Sequence, residues 1–445
     1  MLLMKHGSAI IRKPLSYRAA FLIVLAIAIA IRCVLLIMYG AVYQTQGDDV
    51  DYRNTALNIL EKGFILGQGV RPPFYPSMLA ALWFLFGDHA IVVVCVQMVF
   101  GIMTALLWTH IMWFVTKSSK VALATGLATT FFLPAVTLEL RLLTEPSSLL
   151  LFALVSLFFL NYHRNLSPSN IILCSLFSFL LSLTRISYIF FCLVPCTILF
   201  FNQIGTKRSI KLLVLPICIL LFQGLLSIIT VLGINQRITG DLHLTTLSGG
   251  SLSGMVCRSM EVVQPESQIK EIYLRYRTIQ YEKYGNCEQT IWNAYPEIIR
   301  KTGLSNYQIS DALRAMSVSV IKQKPNTYLT SVENSVSKFI FTTPIYSSGT
   351  VYKVLFIPLQ YIIIFIFLIC VGIIIIVYKN FPEEGKMLSV YFLWGALSFI
   401  YTLATHTLFS AGDIGRYRYT INIIPYSIIF ITLWMIDKLK KRNAA

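Results

Sequence analysis

Long apolar runs separated by short polar loops dominate the sequence. An α-helix needs about 20 mostly apolar residues to cross the hydrocarbon core of a bilayer, and most of these runs approach that length. The pattern therefore predicts an all-α polytopic membrane protein with about ten transmembrane helices. The predicted spans lie at about 19–41, 89–115, 121–138, 146–162, 170–184, 186–202, 211–234, 351–378, 387–410 and 418–436.

The loops predict how these spans are oriented, because cytoplasmic loops carry an excess of Lys and Arg. Basic residues precede the first predicted span, follow the second, fourth and sixth spans, and end the chain. With ten spans, all these loops fall on one side. We therefore expect a multi-pass protein of the inner (plasma) membrane, with both termini in the cytoplasm and residues 47–88, 235–350 and 410–418 outside.

Composition supports a membrane protein and argues against a nucleic-acid-binding protein. The chain of 445 residues is 56% hydrophobic and 13% charged, and its 37 Lys and Arg against 20 Asp and Glu give a formal charge of +17. The bias of cytoplasmic loops accounts for much of this excess. No basic patch is interleaved with stacking aromatic residues in a polar domain, so we expect no nucleic-acid partner.

The spans divide the chain into three parts. Residues 1–234 form an N-terminal transmembrane module that contains a first external loop at about 42–88, and residues 351–445 form a C-terminal module. Residues 235–350, between the seventh and eighth spans, form a small extracytoplasmic segment with helical pieces at 268–284 and 310–323. An oxidising compartment would permit a disulfide between Cys257 and Cys287, although the sequence leaves this pairing open.

The first loop is unusually acidic for its position at the membrane edge. It begins with Gly47-Asp48-Asp49-Val50-Asp51-Tyr52, and carboxylates there are costly unless they have a function. Apolar residues at helical spacing predict a short helix at 52–63 along the interface. The apolar piece at 74–86 is too short to span, so we interpret it as a second interfacial or re-entrant helix.

The three aspartates cannot all face one way on a helix. A cap followed by a first turn would present two of them to a site and leave one at the helix N-terminus, and the alternative is that they only cap the helix. Glu145 begins the fourth predicted span, where it is either a site residue or a partner of the helix dipole.

Several arginines lie on the predicted outer face, against the charge bias of membrane proteins. The planar guanidinium suits a phosphate held in a partly dry cleft, although ion pairs with the first-loop carboxylates or with anionic lipids are the alternative. No Cys or His spacing resembles a zinc site, so no metal site and no cofactor are predicted, while the acidic loop leaves room for a divalent cation. These arginines are Arg71, Arg141, Arg185, Arg416 and Arg418.

Several short motifs, taken in order, resemble the C-type membrane glycosyltransferases. Within that family, the motifs look most like those of the branch that contains the dolichyl-phosphate-mannose protein mannosyltransferases and the bacterial aminoarabinose transferases. The motifs are Asp48-x-x-Asp51-Tyr52, Arg71-Pro72-Pro73-Phe74-Tyr75-Pro76, Leu143-Thr144-Glu145, Leu183-Thr184-Arg185, Arg237-x-x-Gly240 and Arg416-Tyr417-Arg418.

The resemblance implies an enzyme that transfers one sugar from a polyprenyl-phosphate donor to a lipid, glycan or protein acceptor outside the cytoplasm. It implies that the aspartate opening the first loop is the catalytic carboxylate. Counting back from Tyr52 gives Asp48, and the extra acid Asp49 leaves the choice between them open. The implied site comprises Asp48, Asp49, Asp51 and Glu145 as catalytic residues, Arg71, Arg185, Arg416 and Arg418 at the donor phosphate, and Tyr52, Tyr75, Arg237 and Tyr417 at the substrate.

Two other classes of function remain open. A transporter or flippase can also use arginines and acids in its spans, but here the charges gather at the outer ends and the halves of the chain are not duplicated. A glycan polymerase or ligase that uses lipid-pyrophosphate oligosaccharides would share the basic outer face, but would not need an Asp-rich first loop.

Overall fold

The computed structural model describes residues 15–41, 47–64, 71–204, 211–245, 247–264, 266–341, 382–409 and 418–444. Every regular element in these ranges is helical. The N-terminal part contains α1 (Tyr17–Tyr39), α2 (Asp48–Lys62), α3 (Phe74–Phe86), α4 (Ala90–Thr116), α5 (Ser119–Thr130), α6 (Leu133–Val136), α7 (Glu145–Asn165), α8 (Pro168–Thr184), α9 (Leu193–Ile204) and α10 (Lys211–Thr239). The remainder contains α11 (Ser248–Val256), α12 (Gln268–Tyr284), α13 (Thr290–Thr302), α14 (Asn306–Gln323), α15 (Pro325–Phe341), α16 (Pro382–Phe409) and α17 (Ile423–Ala444).

The protein is a polytopic membrane protein, with fewer long spans among its described residues than the sequence predicts. Within the described ranges, five helices are long and apolar enough to cross a bilayer, namely α1, α4, α7, α10 and α16. A sixth span results if α5 and the helical residues Leu133–Leu140 count as one helix bent by 50°. The helices over the fifth and sixth predicted spans are shorter, and the predicted span at 351–378 lies outside the described residues.

Glycines bound the short helix α2 at both ends. Gly47 precedes it and Gly63 follows it, both at φ +82°, a conformation that glycine adopts without the steric cost a side chain would bring. The helix predicted at 52–63 begins four residues earlier, at Asp48, so the three aspartates occupy its first turn. The predicted helix at 74–86 is present with those bounds.

The largest core cluster joins α4, α7, α8 and α9 to the C-terminal helices α16 and α17. Trp394 of α16 is fully buried and stacks on Phe159 of α7 with the ring centroids 4.8 Å apart. Its indole N–H donates to the Ser156 hydroxyl at 3.0 Å, so the polar end of the ring has a partner in the apolar interior. This packing holds the C-terminal helix α16 against α7.

Helices α11 to α15 have a separate hydrophobic core. Cys257 and Cys287 form a disulfide with their Cα atoms 5.9 Å apart, so the pairing that the sequence left open is present. Helix α12 coincides with the predicted helical piece at 268–284, and α14 begins at Asn306, earlier than the predicted 310.

Candidate functional site

The first turn of α2 separates the three aspartates. Residues i and i+3 share a face of an α-helix, so Asp48 and Asp51 point the same way and Asp49 is turned away from them. The side chain of Asp48 is 25% exposed, whereas Asp49 is 2% exposed. Each of the two faces meets its own arginine.

Arg71 holds the exposed face of α2. Its Nη2 atom lies 2.6 Å from Asp48 Oδ1 and 2.7 Å from Asp51 Oδ2, and its Nε donates to the same Asp51 oxygen at 3.2 Å. The guanidinium also lies 5.3 Å from the centre of the Tyr52 ring, a cation–π distance. Burial alone would lower the pKa of Arg71, but Tyr52, Asp48 and Asp51 together raise it, so the group stays cationic.

Asp49 is bound by the segment that precedes α7. Arg141 Nη2 lies 2.7 Å from Asp49 Oδ1, and the Leu142 backbone N–H donates to Oδ2 at 3.2 Å. Burial raises the pKa of Asp49, and these two donors oppose the rise. Both carboxylate oxygens of Asp49 are therefore used within the protein.

Two tyrosines and a glutamine support the first turn of α2 on its buried side. Tyr52 and Tyr75 are buried and meet edge to face with their ring centroids 5.0 Å apart. The Tyr75 hydroxyl donates to Gln97 Oε1 at 2.7 Å, and Gln97 Nε2 donates to the carbonyls of Glu139 and Arg141 at 2.9 and 2.6 Å. Sequence reasoning missed Gln97, although a glutamine inside a long apolar run is a signal that could have found it.

A second buried ion pair adjoins the turn. Glu145 begins α7 and Arg185 directly follows α8, and Arg185 Nη2 lies 3.5 Å from Glu145 Oε1 with both side chains buried. Burial raises the pKa of Tyr52, and both pairs act on it, since Arg71 and Arg185 lower it while Asp48 and Glu145 raise it. Both pairs therefore lie within electrostatic reach of the Tyr52 hydroxyl.

A small cavity that is open to solvent lies beside Arg71. Six of its nine lining residues are apolar, and the polar ones are Arg71, Asn235 and Thr245. Such a wall suits a ligand with a charged end and an apolar remainder. The lining residues are Arg71, Pro72, Pro73, Ile186, Val231, Ile234, Asn235, Leu244 and Thr245.

The remaining predicted site residues are not part of this cluster as described. Arg237 is exposed on the last turn of α10 and does not line the cavity. Arg416 and Tyr417 lie outside the described residues, as does the side chain of Arg418, which begins a 3₁₀ turn. Within the described ranges, no group of three or more His, Cys, Asp or Glu side chains could hold a metal ion.

The chain was compared with known proteins. No protein-family model and no curated protein matches it. The archaeal oligosaccharyltransferase AglB from Archaeoglobus fulgidus, solved with an inhibitory peptide and a dolichol-phosphate, aligns with 96% of this chain at a TM-score of 0.53 and 12% identity. The alignment covers 51% of AglB, so this chain spans about half of its length.

A second solved structure is ArnT from Cupriavidus metallidurans bound to undecaprenyl phosphate. It aligns with 92% of this chain and 77% of its own, at a TM-score of 0.39 and 12% identity. At such identity the likeness to AglB concerns the fold alone. The chain is thus similar in fold to the C-type membrane glycosyltransferases, which confirms the resemblance found in the sequence.

Proposed function

We propose that this protein is a membrane glycosyltransferase that moves a sugar from a polyprenyl-phosphate donor to a lipid, glycan or protein acceptor on the extracytoplasmic side. One observation carries the proposal: Asp48 is bound to Arg71, and Arg71 lines the cavity. A carboxylate that can accept a proton is thereby held next to a cation that can bind a phosphate.

In the proposed reaction, the acceptor hydroxyl gives its proton to the Asp48 carboxylate while its oxygen forms a bond to the anomeric carbon of the sugar. The bond between that carbon and the donor phosphate breaks, and the phosphate leaves with the electron pair as a polyprenyl phosphate. The transition state resembles an oxocarbenium ion, and Arg71 stabilises the charge that develops on the phosphate. A single displacement of this kind inverts the sugar.

The cavity supports a lipid-linked donor. Arg71 is the charged group of its wall, and Val231 and Ile234 belong to the apolar part. The Asn235 amide donates to the His243 carbonyl at 2.7 Å and the Thr245 hydroxyl accepts from the Leu247 N–H at 3.1 Å, so both side chains are held in place beside Arg71. A polyprenyl phosphate has the same division between a charged head and an apolar tail. The AglB structure holds a dolichol-phosphate, which supports this class of ligand by analogy of fold.

The other implied residues keep supporting roles in the proposal. Arg185, paired with the buried Glu145, is a second donor-phosphate ligand, and Arg416 and Arg418 are further ones. Asp51 holds Arg71 in its orientation, and the buried Tyr52 and Tyr75 support the substrate site from beneath. Arg237 and Tyr417 contribute to the substrate site. The proposed topology retains ten spans with both termini in the cytoplasm.

A transfer assay tests the proposal. Purified protein in liposomes receives a panel of polyprenyl phosphates carrying radiolabelled sugars, with a membrane extract of the source cell as the acceptor. We expect label to leave the donor, appear in an acceptor, and leave free polyprenyl phosphate in equal amount. The matched control is Asp311→Asn, which removes another aspartate paired with an arginine, Arg314, on the exposed face of α14.

The result also separates the alternatives. Movement of the labelled lipid between leaflets without cleavage would favour a transporter or flippase. Transfer from lipid-pyrophosphate oligosaccharides, with none from the monophosphates, would favour a ligase or polymerase. An Asp48→Asn variant as active as Asp311→Asn would contradict the proposed role of Asp48.

A further inference from the structure

A buried ion pair joins α1, a helix long and apolar enough to span a membrane, to the segment that precedes α7. Arg32 of α1 donates from Nε to Glu139 Oε2 at 2.8 Å and from Nη2 to Oε1 at 2.6 Å, and both residues are 3% exposed. Arg32 lies seven residues before the end of α1, or about 10 Å along the helix at 1.5 Å per residue. Charges at such depth are costly, and the cost indicates a function.

Helix α4 is shaped around this ion pair. A Cβ atom at Gly101 would lie 2.0 Å from Glu139 Oε1 and 2.4 Å from Arg32 Nη2, so a larger residue there would displace the pair. Gln97, one turn earlier on the same face of α4, donates to the backbone carbonyls of Glu139 and Arg141. The segment 139–141 is thus held through a side chain and through its backbone.

This segment connects the Arg32–Glu139 pair to α2. Arg141 and the Leu142 N–H bind Asp49, so the position of the segment sets the position of the buried face of α2. Gln97 also accepts from Tyr75, whose ring meets Tyr52 beneath Arg71. Both routes end at the first turn of α2, where Asp48 lies.

We infer that Arg32, Glu139 and Gln97 are positioning residues that fix the first turn of α2, and so the orientation of Asp48 relative to Arg71. Stability alone does not explain the pair, because replacing a buried ion pair by apolar residues is often neutral or stabilising. A reaction that needs aligned atoms does explain it, since a displacement of about 1 Å can lower a rate by about 100-fold. The inference rests on the proposed transfer reaction.

The test uses two variants that remove buried polar groups without leaving a lone buried charge. Arg32→Met/Glu139→Leu removes both members of the pair, and Gln97→Met removes the amide. We expect both to lower kcat by about tenfold or more and to change the KM for the donor by less than about threefold. Gln223→Met is the matched control, because Gln223 is also a buried glutamine, bonded to Ser227 within α10.

Hydrogen exchange provides a readout that needs no transfer. In both variants we expect the backbone amides of α2 to exchange at least about fivefold faster, with α12 unchanged. A wild-type protein without transfer activity but with this exchange response would contradict the proposed function and leave the positioning of α2 supported. An active wild type whose Gln97→Met variant keeps full kcat and unchanged exchange would overturn the inference, even if the double variant failed to fold.

Discussion

Replacing Asp48 by asparagine should abolish most turnover while leaving the protein folded and the donor bound. The Asp48–Arg71 pair is partly exposed, at 25% and 18%, so its loss should cost less than about 1 kcal/mol of stability. Arg71 keeps its two hydrogen bonds to Asp51 and stays at the cavity wall. Loss of a general base lowers turnover by about 100-fold or more, which corresponds to about 2.7 kcal/mol of activation free energy.

Asp49 should respond differently, because its carboxylate binds inside the protein. In Asp49→Asn the remaining carbonyl oxygen can still accept from Arg141 or from the Leu142 N–H, so we expect turnover to fall by less than about tenfold. Asp49→Ala removes the carboxylate that accepts from Arg141 and from the Leu142 N–H and should cost about 1 to 3 kcal/mol of stability. The activity assay is single-turnover transfer of radiolabelled sugar, with thermal unfolding in detergent measured on the same samples.

The pKa of Asp49 adds a pH signature to this comparison. Burial raises that pKa, so the folded state binds the proton more tightly than the unfolded state does. The contribution of the group to stability is therefore complete below the pKa of an unfolded aspartate, about 3.9, and declines as the pH rises through the raised pKa. As the pH rises above about 4, wild type should lose stability relative to Asp49→Asn.

Three results would refute this reasoning. Full turnover in both single asparagine variants and in the double variant would mean that the aspartates only cap α2. A larger loss in Asp49→Asn than in Asp48→Asn would make Asp49 the base. An equal loss in Asp51→Asn, which removes the other carboxylate on Arg71, would indicate that the charge around Arg71 matters rather than a base at Asp48.

Further predictions concern topology, the disulfide and the donor phosphate. Reporters fused after Lys120 and after Gln308 should give opposite signals, and equal signals would overturn the proposed ten-span topology. Replacing Cys257 and Cys287 by serine opens a loop with a sequence separation of 30. It should destabilise α11 to α15 by about 3 to 4 kcal/mol, whereas free thiols found by mass spectrometry in the oxidised protein would contradict the bridge. Arg416→Ala should raise the KM for the donor by about tenfold or more, since a charge-assisted contact contributes about 1.5 to 3 kcal/mol, and an unchanged KM would remove Arg416 from the donor site.

The sequence by itself determined the class of the protein and most of its helices near the site. Helix α3 has the predicted bounds, because the length of an apolar run is a local property that can be read directly. Whether the shorter apolar runs form membrane spans could not be predicted in the same way. The helices at Pro168–Thr184 and Ile186–Phe201 are too short by length alone to be called spans.

Only the tertiary structure decided which aspartate meets which arginine. Asp48 and Asp49 are adjacent in the sequence, and their partners Arg71 and Arg141 lie 23 and 92 residues away. Helical periodicity predicts that neighbouring side chains diverge, but it does not say what each one meets.

The residues that support the site could not be predicted for the same reason. Arg32 and Glu139 are 107 residues apart, and Gln97 donates to a backbone carbonyl, which every residue has and which the sequence therefore does not mark. Patterns along a chain record the periodicity and burial of each helix. Hydrogen-bond partners depend instead on how the helices pack, because a bond forms only where two distant parts of the chain come within about 3 Å of each other.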